Sequence, residues 1–259
     1  MPITLPKVKK AATSIDPDII IFYALPKVGK TAMLAQLEDN LILDLEKGTD
    51  RYDAMAIQAE TYQEFQEVLV ALATGYKEKG EVPLYTYGSV DTLGILEDIA
   101  IHKAAELYRQ TPMGKTWYAK NYDAPGKLKV EGDLISNLPN GAGYGYIREA
   151  MKWYITILKK FFKHLILIAH VKDKRLQSLD GGEDVIVKDI ALTGRLGSIL
   201  AAQADAIGYM YRNGKGELIV SFKTNENSIM GSRCPHLAGQ QFPFDWSKIF
   251  IESKAKVSA

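Results

Sequence analysis

The residues Ala24-Leu25-Pro26-Lys27-Val28-Gly29-Lys30-Thr31 combine a tight turn, a lysine and a hydroxyl at fixed spacing. They depart from the phosphate-binding pattern G-x-x-x-x-G-K-S/T only in carrying Ala24 at the first glycine position. Such a loop points backbone N–H groups inward around a phosphate chain, with Ala32 completing the cradle. Lys30 then reaches the outer phosphates, and the Thr31 hydroxyl ligates a magnesium ion. The helix expected to follow adds the positive end of its dipole. Ala24 gives up glycine's freedom at positive φ. The chemistry expected here is the binding of ATP with Mg2+.

Three further polar groups stand where apolar runs end. Asp91 follows Pro83–Val90, and a carboxylate at such a tip beside a phosphate loop holds magnesium directly or through water. The competing reading has Asp91 capping the helix that starts at Thr92. Glu46 follows the run Leu41–Leu45 and suits the orientation of a water that attacks the γ-phosphate. Alternation along the strand puts Asp44 on the same side as Glu46, so either can face the ligand. A solvated acidic turn is the alternative. His170 ends Leu165–Ala169, where it can hydrogen-bond the γ-phosphate and signal its presence onward, or simply face solvent.

These groups need a scaffold of parallel strands, because ligands of open α/β sheets sit at the strands' carboxyl ends. Ile19–Tyr23 is a continuous apolar, β-rich run, and Ala32–Leu37 consists of strong helix formers. Thr61-Tyr62-Gln63-Glu64 has the form of a capping box opening a helix to about Tyr76. Pro83–Val90 reads as a third strand, less apolar and therefore less buried than the first. Helical periodicity covers Leu93–Tyr108, about Tyr144–Lys163 and about Gly194–Gln203. A polar insertion spans 110–143, and Val171–Asp184 reads as a charged loop. Ala206–Arg212 and Glu217–Phe222 form a hairpin across Asn213-Gly214-Lys215-Gly216. The expectation is an α/β fold of one domain over 1–259, with its core at about 15–235 and a C-terminal tail at 236–259. Its mostly parallel central sheet is flanked by helices and ends in a C-terminal antiparallel hairpin.

Composition sets the outer limits. The 259 residues are 47% hydrophobic, enough for a sizeable core, and the net charge of +1 provides no global field for a polyanion. The single Cys234 excludes an internal disulfide, no apolar run has membrane-helix length, and Met1–Lys10 lacks a signal-peptide core. A cytoplasmic protein is expected.

The order of these features resembles the RecA-like branch of the P-loop ATPases over about Ile19–Phe222. Leu43-Asp44-Leu45-Glu46 matches the strand ending in a catalytic glutamate. Val90-Asp91-Thr92-Leu93 matches the magnesium strand, and Ile166-Leu167-Ile168-Ala169-His170 the sensor strand. More narrowly, Tyr23–Thr31 and Gly231-Ser232-Arg233-Cys234-Pro235-His236-Leu237 are similar to short phage-encoded proteins of single-strand annealing and recombination. The resemblance implies a DNA-dependent ATPase acting on single-stranded DNA in the host cytoplasm. It also implies assembly into a ring or filament and a single-strand-binding or annealing partner.

Local composition allows the DNA contact. Lys152–Arg175 holds seven basic residues against the single acidic Asp173, and Lys172, Lys174 and Arg175 lie in its loop part. The insertion interleaves Lys115, Lys120, Lys127 and Lys129 with Trp117, Tyr118 and Tyr122. The resemblance also implies a cation lent by a neighbouring subunit, for which Lys223 and Arg233 are candidates on position alone; the alternative is that both are surface charges. Two other classes fit the phosphate loop: a P-loop kinase, for which no Arg-rich lid is evident, and a regulatory or structural nucleotide-binding protein with little turnover.

Overall fold

The computed structural model describes residues 14–120, 138–176, 185–224 and 228–252, with residue 5 and the short stretches 122–123, 127–128 and 135–136. The strands in chain order are β1 (Ile19–Ala24), β2 (Asn40–Asp44), β3 (Ala56–Gln58), β4 (Tyr85–Asp91), β5 (Tyr122–Asp123) and β6 (Lys127–Leu128). They continue with β7 (Phe162–Leu176), β8 (Val185–Ile190), β9 (Ala206–Arg212), β10 (Leu218–Ser221), β11 (Gly231–Ser232) and β12 (Gln241–Pro243). The helices are α1 (Lys30–Ala35), α2 (Tyr62–Glu78), α3 (Leu93–Arg109), α4 (Pro112–Lys120), α5 (Ala142–Phe161), α6 (Leu196–Gln203) and α7 (Trp246–Ile249).

The main sheet is ordered β3-β2-β4-β7-β1-β9-β10-β12. Its pairings are parallel from β3 through β9. At the far edge β10, β12 and β11 join antiparallel. This is the mixed α/β architecture expected, with its antiparallel strands at the C-terminal side. All six residues of β1 are buried, as a continuous apolar run demands when helices cover both faces.

Alternation along β1 divides the interior in two. Ile19, Ile21 and Tyr23 join the larger core with Phe65 and Leu69 of α2, Leu96 and Ala100 of α3, and Tyr154 and Leu158 of α5. Ile20, Phe22 and Ala24 face Met33 and Leu34 of α1. The stretch beyond residue 235 closes this second core. Trp246 donates its indole N–H to the Met33 carbonyl at 2.8 Å, and its ring meets Phe22 edge-on at 5.9 Å.

Two readings of the sequence need correction. Strand β4 is not the less-buried strand that its polar residues suggest; it is buried from Tyr87 to Asp91. Ser89 tolerates this because its hydroxyl donates to Oδ1 of Asn40 at 2.7 Å, while the Asn40 amide donates to the Leu34 carbonyl at 3.0 Å. Gly88 is required because a Cβ there would meet the Phe162 ring at 2.2 Å.

The second correction concerns the charged segment after His170. Val171–Leu176 is no loop; it continues β7 beyond the sheet and pairs antiparallel with β8, Val171 opposite Ile190 and Leu176 opposite Val185. Residues 177–184 lie outside the described part. Of the polar insertion, α4 occupies the first third, with Lys115 exposed and Trp117 packed against the larger core. Lys129 and the side chains of Tyr118, Lys120, Tyr122 and Lys127 fall outside the described residues.

Candidate nucleotide site

The phosphate loop begins where β1 runs out. Ala24 is fully buried and keeps a negative φ, so this position never needs glycine's freedom. The turn is made instead at Lys27 (φ 62°) and Gly29 (φ 116°), both in the left-handed region that Gly29 tolerates without strain. Helix α1 starts immediately at Lys30 and has six residues.

Lys30, Thr31, Glu46, Asp91 and His170 line one cleft of about 400 Å³, together with loop residues Pro26, Lys27, Gly29 and Ala32. Leu25 and Val28 complete the loop without lining it, Leu25 being exposed. The buried Lys30 amine donates to the Leu25 carbonyl at 3.1 Å and stands 3.4 Å from Nδ1 of His170. Burial lowers its pKa, against the opposing pull of Asp91 and Glu46. With Lys30 as donor, Nδ1 of His170 accepts and Nε2 carries the proton. That Nε2 lies 3.6 Å from Oε1 of Glu46.

Strand register explains the convergence. Ala24 is opposite His170, Asp91 is opposite Ile168, and Asp44 is opposite Asp91. The ends of β1, β4 and β2 therefore fall close to the level of His170, which lies midway along β7. Thr31 donates to Oδ2 of Asp91 at 2.7 Å. Burial pushes the Asp91 carboxyl up to about 6, with Glu46 and Asp44 adding to the rise and the Thr31 bond opposing it.

Asp44 and Glu46 part company, contrary to simple alternation. The strand ends at Asp44, and this fully buried carboxylate turns back to organise its own loop. It accepts from the N–H groups of Glu46 (3.2 Å), Gly48 (3.0 Å) and Thr49 (2.9 Å), and from the Thr49 hydroxyl at 2.6 Å. Burial raises its pKa, but these bonds outweigh burial and hold it below the ordinary value. Glu46 is left to face the cleft. There the Thr92 hydroxyl donates to its Oε1 at 2.7 Å. Thr92, not Asp91, is the residue before α3, so Asp91 is not its cap.

The Asp44 turn also brings Gly48 over the phosphate loop. A Cβ on Gly48 would stand 3.1 Å from the Thr31 hydroxyl, and Tyr52 borders the same cleft. The roles of Asp44 and Thr92 rest on side-chain direction after a strand end, and that of Gly48 on the path of the turn. Asp44 stands out in the sequence only as an alternative to Glu46, Thr92 only as the neighbour of Asp91, and Gly48 not at all.

The residues fit magnesium. A buried carboxylate with a raised proton affinity has unmet demand for a cation, and the Thr31 hydroxyl lies beside it. Magnesium takes one or two protein oxygens and fills its octahedron with phosphate and water. Among the described residues no group of three His, Cys, Asp or Glu side chains is placed to chelate a metal outright, so the ion's remaining ligands would come from the nucleotide.

The candidate DNA residues lie on the β7–β8 ribbon. Lys172 donates to the Leu192 carbonyl, and Lys174 stands 3.6 Å from Asp189. Arg175 is exposed. Beside the base of this ribbon is a second cleft, of about 320 Å³, lined by Arg148, Arg195, Tyr144 and the buried Glu97. Neither of its arginines stood out in the sequence. Lys223 is exposed just after β10. Arg233, like Lys223, lies toward the end of the sheet where β9 begins, away from the phosphate loop; it donates to the Ala202 carbonyl at 2.7 Å and stands 3.9 Å from Asp205.

A phosphate loop on β1, a threonine–aspartate oxygen pair and a glutamate–histidine pair on neighbouring parallel strands define a P-loop ATPase. A family model described as an AAA domain matches residues 17–234, and the chain belongs to that family. Nucleotide binding and ATPase activity are the family's general properties. No curated protein matches the chain. No helix among the described residues is long and apolar enough to cross a membrane.

Proposed function

We propose that this protein hydrolyses ATP with Mg2+ and couples the reaction to single-stranded DNA, as part of phage-type recombination or annealing. The observation that carries the reading is the continuity of β7. One strand bears His170 beside the phosphate loop and Lys172, Lys174 and Arg175 on the ribbon beyond it.

Each residue has a defined task. Lys30 exchanges the Leu25 carbonyl and His170 for phosphate oxygens. Thr31 and Asp91 would hold the magnesium ion, whose charge would offset that of the phosphate oxygens. Glu46, fixed by Thr92, orients the attacking water. His170, released by Lys30, reports the occupied state along β7.

The second cleft supports the DNA contact, since Arg148, Arg195 and the half-exposed Tyr144 line it together, a combination suited to phosphates and a stacked base. Assembly into a ring or filament would make Lys223 and Arg233 available to a neighbour's site, and an annealing or single-strand-binding protein is the expected partner. The test measures ATP hydrolysis with and without single-stranded DNA, beside Lys30→Ala. Stimulation by DNA that Lys30→Ala abolishes is expected, and turnover indifferent to both removes the reading. Replacing Lys172, Lys174 and Arg175 by Ala should flatten the salt dependence of DNA binding. Slow, DNA-independent turnover favours a regulatory nucleotide-binding protein, and phosphoryl transfer to a small acceptor favours a kinase.

A further inference from the structure

Strand β1 has a parallel neighbour on each side, β7 and β9. Ala24 is opposite His170 on β7 and opposite Met210 on β9. Strand β9 then runs two residues past the end of β1, through Tyr211 to Arg212. Alternation places Arg212 on the face of Met210, the face that packs on Met33 and Leu34 of α1. Arg212 thus overhangs the phosphate loop on the flank away from Glu46 and Asp91.

The side chain reaches the loop. A Cβ at Gly29 would meet Nη2 of Arg212 at 3.1 Å, so the guanidinium lies against the glycine that makes the phosphate turn. Its other nitrogen, Nη1, donates to the Gly216 carbonyl at 2.6 Å. The hairpin that supplies this carbonyl is itself fixed, because Oδ1 of Asn213 accepts from the N–H groups of Lys215 (2.9 Å) and Glu217 (3.0 Å). Arg212 is exposed and has no carboxylate partner among the described residues. A cation held in place, unneutralised and within reach of a phosphate loop has one evident kind of ligand.

We propose that Arg212 is a nucleotide-binding residue whose guanidinium clasps phosphate oxygens that are not transferred, on the flank of the loop opposite His170. The inference rests on the nucleotide reading of the loop and adds a second cation to it, supplied by the same chain. An arginine suits this position because its planar fork can keep the Gly216 bond on one nitrogen and offer the others to phosphate. Because the contacted oxygens stay on the product, ADP and ATP should both depend on Arg212, and the chemical step should not.

The test is calorimetric titration of ADP into the full chain, comparing wild type, Lys30→Ala, Arg212→Ala and Arg212→Gln. Gln retains an N–H for the Gly216 carbonyl but no charge, so it separates the cation from the hairpin tether. Thermal melts of the free proteins check that all four fold. Both Arg212 variants are expected to bind ADP about tenfold more weakly or worse, the scale of a lost charge-assisted hydrogen bond. Their turnover at saturating ATP should stay near wild type, so that the loss falls in KM. Wild-type binding of ADP with unaltered affinity in both variants overturns the inference alone. Absence of ADP binding by the wild-type protein overturns the nucleotide reading and takes the inference with it.

Discussion

The Thr92 hydroxyl donates to Oε1 of Glu46 at 2.7 Å, across the gap between the ends of β4 and β2. The same oxygen lies 3.6 Å from Nε2 of His170. Glu46 is therefore held at a single oxygen, leaving its other oxygen for water. Glu46→Gln should lower kcat about 10²–10⁴-fold, the usual worth of a positioned base. Thr92→Val should lower kcat about tenfold while leaving nucleotide affinity unchanged, because it loosens the base without touching the phosphates. Thr92→Ser should restore turnover. A Thr92→Val enzyme with normal kcat would show that Glu46 needs no such support.

Asp91 is a buried carboxylate whose neighbours include two further carboxylates, Glu46 and Asp44. Its folded-state pKa of about 6 lies above the ordinary value of 3.8, so the folded protein binds this proton more tightly than the unfolded chain does. The group is neutral and costless below about pH 4, and its penalty grows as pH rises to about 6. At neutral pH that penalty is on the order of 3 kcal/mol, at about 1.36 kcal/mol per pKa unit. Asp91→Asn should thus raise the melting temperature of the metal-free protein at pH 7.5, and it should abolish further stabilisation by magnesium with ADP. A lower melting temperature without ligand would contradict this account.

Gly88 is fixed by its neighbour. A methyl group there enters the Phe162 ring, and overpacking of this kind costs about 1–3 kcal/mol. Gly88→Ala should lower the melting temperature by roughly 2–4 °C per kcal/mol for a chain of this size. The two positions are in contact, so their effects should not add: Gly88→Ala should cost much less in a Phe162→Leu background. Additive losses in a double-mutant cycle would place the strain elsewhere.

His164 gives the stability a pH dependence of the opposite sign. Its ring is 2% exposed, stacked on Tyr87 and against Phe250, with Nδ1 donating to the Pro17 carbonyl at 2.8 Å. Burial lowers its pKa, Lys163 lowers it further, and the Pro17 bond with Asp16 and Asp18 resists the shift. The unfolded chain takes the proton more readily, so stability is full above about pH 6.5 and falls as pH drops below it. Denaturant melts at pH 7.5 and 5.5 should show this loss, and His164→Phe should shrink it. An equal loss in both proteins would assign it to other groups.

Much of this site is written as strand-end residues. An apolar run followed by Gly29-Lys30-Thr31, and others ending at Asp91 and His170, reveal the parallel sheet because buried parallel strands leave no room for polar residues until they emerge. What the sequence hides is polarity satisfied by distant partners. Ser89 makes β4 look exposed, and only the Asn40 amide across the strand shows why it is not. The β7–β8 ribbon reads as a loop because Lys172-Asp173-Lys174-Arg175 is a run of charges with no apolar alternation, and the buried Val187 and Ile190 that back it lie on a partner strand further down the chain. Asp44 and Glu46 are indistinguishable on paper, since the turn that separates them is made of backbone N–H groups that any sequence provides. Arg212 depends on the register of β9 against β1, which no local pattern encodes.

The fifteen residues of β7 run unbroken from Phe162 to Leu176. Mechanically this makes the strand a lever whose pivot is the parallel sheet and whose free arm is the ribbon. At about 3.3 Å per residue, Arg175 lies roughly 16 Å beyond His170, so a tilt of about 5° at the phosphate end sweeps the basic tip through about 1.4 Å. A flexible loop would absorb such a motion in its own torsions. A hydrogen-bonded ribbon would transmit and magnify it, so the proposed coupling would depend on the stiffness of β8 against β7.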